Sequence, residues 1–159
     1  MKVLKFGGTS VGSIENIKKV KEIISDGEQK IVVLSAMSGT TNALVEISEL
    51  IKDQNTDEAS SKVEILAGKY KVVLAELIQD ETLTEEISNF ISGVFEFLKN
   101  CTSECHSEFL YNKIVAQGEL LSTFIFTKYL IQEGVNARFL PALDFMRIDK
   151  SNDPDDFYI

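Results

Sequence analysis

Two apolar runs separated by a helical repeat set the narrowest bound on the fold of this chain. The first is KVLKF, residues 2–6, and the second opens KIVVLSAMSG, residues 30–39. Between them Ile14, Ile17, Val20, Ile23 and Ile24 recur at the three- and four-residue spacing of one helical face. Ser13 stands where an N-cap hydroxyl can accept from a free amide of the first turn, and Asp26 and Gly27 stop the helix. Strand, helix and strand in that order imply a right-handed crossover between parallel neighbours. The second run is unbroken rather than alternating, which predicts burial on both faces.

The rest reads mostly as helix. After a loop, Leu44, Ile47, Leu50 and Ile51 keep helical spacing. DQNTDEASS, residues 53–61, reads as a polar connection, and helical periodicity returns over 62–79. Thr82 and Glu85 have the spacing of a capping box. Leu83, Ile87, Phe90, Ile91, Val94, Phe95 and Leu98 then share one face. A long helix is expected from about Ser107 to Gln132, ended by Gly134. VNARFLPA, residues 135–142, is expected as a strand closed by Pro141, and the remaining tail is polar and acidic. The class is α/β, with helices outnumbering strands.

A chain of 159 residues can bury one compact core. Its formal charge of -9 excludes a general nucleic-acid or membrane-surface binder, which needs a basic face. No apolar run approaches the roughly 20 residues of a membrane span. Gly7 and Gly8 interrupt the N-terminal apolar stretch too early for a signal peptide, so a cytoplasmic protein is expected. Cys101, Cys105 and His106 lack a second pair of ligands, so no metal site is expected there. Asp153, Asp155 and Asp156 lack EF-hand spacing and read as a solvated acidic tail.

The loop after the first strand admits two readings. One is a tight turn with positive φ at Gly7 or Gly8 and a solvated Lys5. The other is an anion cradle: bare backbone lets a phosphate approach, Lys5 supplies charge, and Thr9 and Ser10 supply hydroxyls. A Walker A loop is excluded, because Ser13 and Ile14 stand where lysine and a hydroxyl residue belong, and no G-x-G-x-x-G is present.

KFGGTSVG (residues 5–12), VVLSAMSGTTN (32–42) and QGELLS (117–122) together resemble the aspartate kinases of the amino-acid kinase family. The resemblance runs from residue 2 to about 147. It implies an amino-acid kinase-like (carbamate kinase-like) three-layer α/β/α fold with a mainly parallel sheet, of which residues 1–147 form the N-terminal lobe and 148–159 a tail leading onward. It implies ATP-dependent phosphorylation of the β-carboxylate of L-aspartate, the first step of lysine, threonine and methionine biosynthesis. Lys5 would then be the catalytic cation, and Gly7, Gly8 and Ser10 would join it in holding phosphate. Ser35, Gly39, Thr41 and Glu119 would line the aspartate site, with Glu119 on the α-ammonium.

Capping is the other role open to Ser38, Thr40 and Thr41. The alternative for Gly118 and Glu119 is plain helix packing beside a solvated carboxylate. ATP with Mg2+ is expected to be bound mainly by a nucleotide-binding half absent from these residues, so the chain reads as an inactive N-terminal fragment of a homo-oligomeric enzyme. The alternatives are another kinase of the family acting on glutamate, carbamate or UMP, or a noncatalytic module on the same fold.

Overall fold

The computed structural model describes residues 1–146 together with 149–150 and 157–158. β1 (Lys2–Phe6) and β2 (Lys30–Leu34) lie parallel, in register from Lys2 opposite Lys30 to Phe6 opposite Leu34. α1 (Ile14–Ile24) connects them. Ser13 caps it as expected, accepting from the Asn16 amide at 3.3 Å. Ile17, Val20 and Ile24 are buried, whereas Ile23 is exposed, about a quarter-turn off that face.

The second strand is shorter and barer than expected. It ends at Leu34, and residues 35–39 form a loop. Leu4, Phe6, Val32 and Leu34 pack into the core. Val3, Ile31 and Val33 remain 64%, 40% and 43% exposed on the opposite face. Burial on both faces is therefore not met: among the described residues, helices cover one side only. An unbroken apolar run records what a strand is made to bury, and only tertiary structure supplies the cover.

α2 (Thr40–Lys52), α3 (Thr56–Leu77), α4 (Glu81–Cys101) and α5 (Glu108–Gln132) form the helical layer. α3 packs on α2 and α4, and α5 packs on α2, α4 and β2. α3 starts at Thr56, inside the stretch read as a connection, and Ala59 is fully buried. The acidic residues Asp57 and Glu58 suit a helix N-terminus, and that polarity imitated a loop. The capping box is absent: Asp80 caps α4 by accepting from the Leu83 amide at 2.9 Å, which places Thr82 and Glu85 inside the helix.

α5 runs as expected, with Ser107 accepting from the Leu110 amide at 3.1 Å and Gly134 at φ 75 beyond its end. By length and composition α5 could cross a membrane, but Ile114, Leu121 and Ile125 sit in the core against its neighbours. Residues 135–140 are irregular rather than a strand. Their backbone pairs with no strand among the described residues, and Phe139 is instead held edge-on to Phe124 and Phe90, which stack at 3.8 Å. Pro141 opens the short α6 (Ala142–Phe145). In the tail, β3 (Asp149–Lys150) pairs antiparallel with β4 (Phe157–Tyr158). Asp153, Asp155 and Asp156 lie outside the described residues.

Candidate active site at the loop ends of the parallel strands

Two loops leave the same end of the sheet. The first, residues 7–13, comes after β1 and folds on itself: the Ser10 amide donates to the Gly7 carbonyl at 2.9 Å and the Gly12 amide to that of Thr9 at 3.3 Å. Asn16 Nδ2 donates to the Thr9 carbonyl at 2.9 Å, tying the loop to α1. The tight turn forms and Lys5 is exposed, but neither Gly7 nor Gly8 has positive φ, so that part of the turn reading is not met. Gly8 is required for another reason. A Cβ there would stand 2.9 Å from the Ala36 carbonyl oxygen, and one at Gly12 would stand 2.8 Å from Ser38 Cβ. The glycines let the first loop lie against the second.

The second loop, residues 35–39, begins by extending the ladder, with the Ser35 amide donating to the Phe6 carbonyl at 3.0 Å. α5 fixes its first two residues. Ser122 Oγ donates to the Ser35 carbonyl at 2.8 Å, and Glu119 Oε1 accepts from the Ala36 amide at 3.3 Å. Gly118 permits this approach, since a Cβ there would meet Ala36 Cβ at 2.8 Å and Thr40 and Leu44 at 3.3 Å. The glycine in a long helix thus answers to close packing on the loop that carries Ser35 and Gly39. Glu119, one residue on, bonds that loop while its side chain stays exposed.

Gly39, at φ 78, is the N-cap of α2, and no side chain caps that helix. The expected capping by Ser38, Thr40 or Thr41 does not occur, because the Thr40 hydroxyl turns inward to Tyr70 OH at 3.1 Å, both residues being buried. The amides of Thr41 and Asn42 therefore have no acceptor among the described residues, and the end of α2 presents free donors and the positive pole of the helix. Lys69 of α3 donates to the Ser38 carbonyl at 2.6 Å. Burial pushes the Lys69 ammonium below the usual lysine value. Burial also pushes Tyr70 up to about 12, the Thr40 bond opposes this, and the negative charge of Glu119 adds to it.

The structure thus brings Gly8, Ser35, Gly39 and Glu119 together at the loop ends. Lys5 shares the open face of the sheet with Val3 and Val33, and its side chain is exposed. Thr41 is exposed in the first turn of α2, and Ser10 is half-buried in the first loop. No hydrogen bond or ion pair joins Lys5 to Ser35, Thr41 or Glu119 among the described residues. Sequence reasoning gave no role to Gly12, Ser122, Lys69 or Tyr70. Ser122 carried a usable signal, standing three residues after Glu119 on the same helical face. Lys69 and Tyr70 had none, since they lie about thirty residues away on another helix.

Comparison with known proteins gives a consistent result. The model of the amino acid kinase family matches residues 1–156. Lysine-sensitive aspartokinase 3 of Escherichia coli is 30% identical over 146 residues, covering 91% of this chain and 32% of the relative. Aspartokinase 1, chloroplastic, of Arabidopsis thaliana is 33% identical over 150 residues, covering 89% of this chain and 25% of the relative. A crystal structure of E. coli aspartokinase III in complex with aspartate and ADP superposes with a TM-score of 0.70 at 29% identity, covering 87% of this chain and 30% of that one. The chain spans a third or less of the length of these relatives.

Proposed function

The chain belongs to the amino acid kinase family and carries the fold of its aspartokinase members, and on that basis we propose that residues 1–147 are the substrate-binding lobe of an aspartate kinase. The whole protein would transfer the γ-phosphoryl group of ATP to the β-carboxylate of L-aspartate, giving 4-phospho-L-aspartate for lysine, threonine and methionine biosynthesis in the cytoplasm. The observation that carries this reading is the convergence of the two glycine-bearing loops with Glu119 at the ends of parallel strands, where α/β sheets bind ligands.

The chemistry brings a carboxylate and a polyphosphate together, so positioning and positive charge dominate the barrier. Lys5 would stabilise the transferring phosphoryl group. The amides at Gly7 and Gly8, with Ser10, would hold phosphate oxygens. Ser35, Gly39 and Thr41 would hold the amino acid beside the free amides of α2. Glu119 spends one oxygen on the Ala36 amide, which orients the carboxylate and leaves the other for the α-ammonium. Mg2+ would accompany ATP. Among the described residues no three acidic, histidine or cysteine side chains cluster to hold it, so no step here runs through the metal. The 159 residues alone would not turn over, and the whole protein would be a homo-oligomer.

The test is a substrate panel on the full-length protein. ATP turnover dependent on L-aspartate, and not on glutamate, carbamate or UMP, is the expected result. Turnover with one of the other acceptors would move the assignment within the family, and no turnover with any of them would favour a noncatalytic module.

A further inference from the structure

The loop that carries Ser35 and Gly39 is held from behind by two consecutive residues of α3. Lys69 Nζ donates to the Ser38 carbonyl at 2.6 Å, and Tyr70 OH meets the Thr40 hydroxyl at 3.1 Å. Among the described residues no carboxylate pairs with Lys69. A half-buried ammonium whose one bond is to a main-chain carbonyl calls for a reason, since burial disfavours its charge and a lysine can usually extend into water.

The geometry of the peptide unit supplies the reason. The bond between Ser38 and Gly39 is trans, so its carbonyl and its amide point in opposite directions. When Lys69 holds the Ser38 oxygen toward α3, the Gly39 N–H faces away from α3. That amide then joins those of Thr41 and Asn42, which have no acceptor among the described residues. A glycine at φ 78 has no side chain to resist rotation of this peptide, so the turn needs an outside hold. The same bond draws a carbonyl oxygen, which would repel an anion, away from the donors at the end of α2.

We propose that Lys69 is a positioning residue that sets the Ser38–Gly39 peptide so that the Gly39 amide and the first turn of α2 present donors to the carboxylate of an amino-acid substrate. Tyr70 anchors the next residue of the turn from inside the core. The substrate part of this inference rests on the aspartate kinase reading, whereas the hold on the turn does not.

Two measurements separate the parts. In the 159-residue chain, Lys69→Met is expected to speed hydrogen exchange at the Thr40 amide, which bonds to the Met37 carbonyl, by about tenfold, the order of a charge-assisted hydrogen bond. Core amides of α5 should be unchanged, and Lys69→Arg should restore most of the protection. Unchanged exchange at Thr40 would overturn the hold on the turn. In the full-length protein, Lys69→Met is expected to raise the KM for aspartate about tenfold with a smaller change in kcat and in the KM for ATP, with Lys69→Arg recovering most of the loss. An unchanged aspartate KM in an otherwise active enzyme would overturn the substrate role even if the turn loosens. If the unaltered protein turns over no aspartate, the kinase reading fails and the exchange measurement alone decides on Lys69.

Discussion

At the scale of single residues, burial and hydrogen bonding divide the polar groups of the site into those that build it and those left for chemistry. Thr40, Tyr70 and Ser122 are buried and bonded, whereas Lys5 and Thr41 are exposed. If the exposed cation acts on the transferring phosphoryl group, Lys5→Ala in the full-length protein lowers kcat on the order of 100-fold to 1000-fold, the cost of losing a transition-state donor. Glu119→Ala instead raises the KM for aspartate with a smaller loss in kcat. Steady-state kinetics over both substrates checks the pair, and equal effects on both parameters would remove the division of roles. A different residue shows what an unused polar group costs. Ser48 Oγ, fully buried in α2, has no hydrogen-bond partner among the described residues. Ser48→Ala removes an unsatisfied hydroxyl and improves helix propensity, so urea unfolding should show a gain of up to about 1 kcal/mol.

At the scale of elements, α1, α4 and α5 each start where a nearby side chain reaches a free amide. The sequence pattern offers Thr82 as the cap of α4, but it is the carboxylate of Asp80 that accepts from Leu83. Asp80→Ala should therefore cost about 1 kcal/mol, while Thr82→Ala stays within about 0.5 kcal/mol of the parent. Thermal or urea unfolding of both variants decides it, and the reverse order would reinstate the capping box. α2, like α3 and α6, has no side-chain cap; its N-cap is a left-handed glycine and its first-turn hydroxyl points into the core. Its uncapped N-terminus faces the candidate substrate position.

At the scale of the whole molecule, two properties arise from how the core is built. Tyr70 and Cys101 are buried with their pKa values pushed up to about 12 and about 11, in both cases mainly by burial. In the unfolded chain both groups lose their protons at lower pH, so above about pH 9 the unfolded state binds fewer protons than the folded one, and stability falls as pH rises. Urea midpoints should hold level between about pH 7 and 8 and drop progressively above about pH 9, and Tyr70→Phe should soften the drop at its alkaline end. The second property is the bare face of the sheet. Val3, Ile31 and Val33 stand exposed on two strands that have no further neighbour among the described residues. The 159-residue chain should self-associate with rising concentration, and Ile31→Lys with Val33→Lys should shift sedimentation toward the monomer.

Local events were legible in the residues alone. An apolar run placed β1, helical spacing placed α1 and Ser13 announced its start, the stretch from about Ser107 to Gln132 gave the long α5, and the glycine pattern of residues 5–12 marked the loop at the end of β1. Each of these is decided by neighbours within one or two helical turns, where side-chain spacing is itself the physical cause. Long-range contacts settled the rest. Gly8 owes its identity to backbone, and Gly118 to side chains, from another segment, and Thr40 gives up capping because Tyr70 waits in the core. Residues 135–140 stay irregular with Phe139 packed against Phe90 and Phe124, and Lys69 gains its hold on the turn from a helix thirty residues on. Such contacts join residues whose separation in sequence carries no period, so they exist only once the chain has folded.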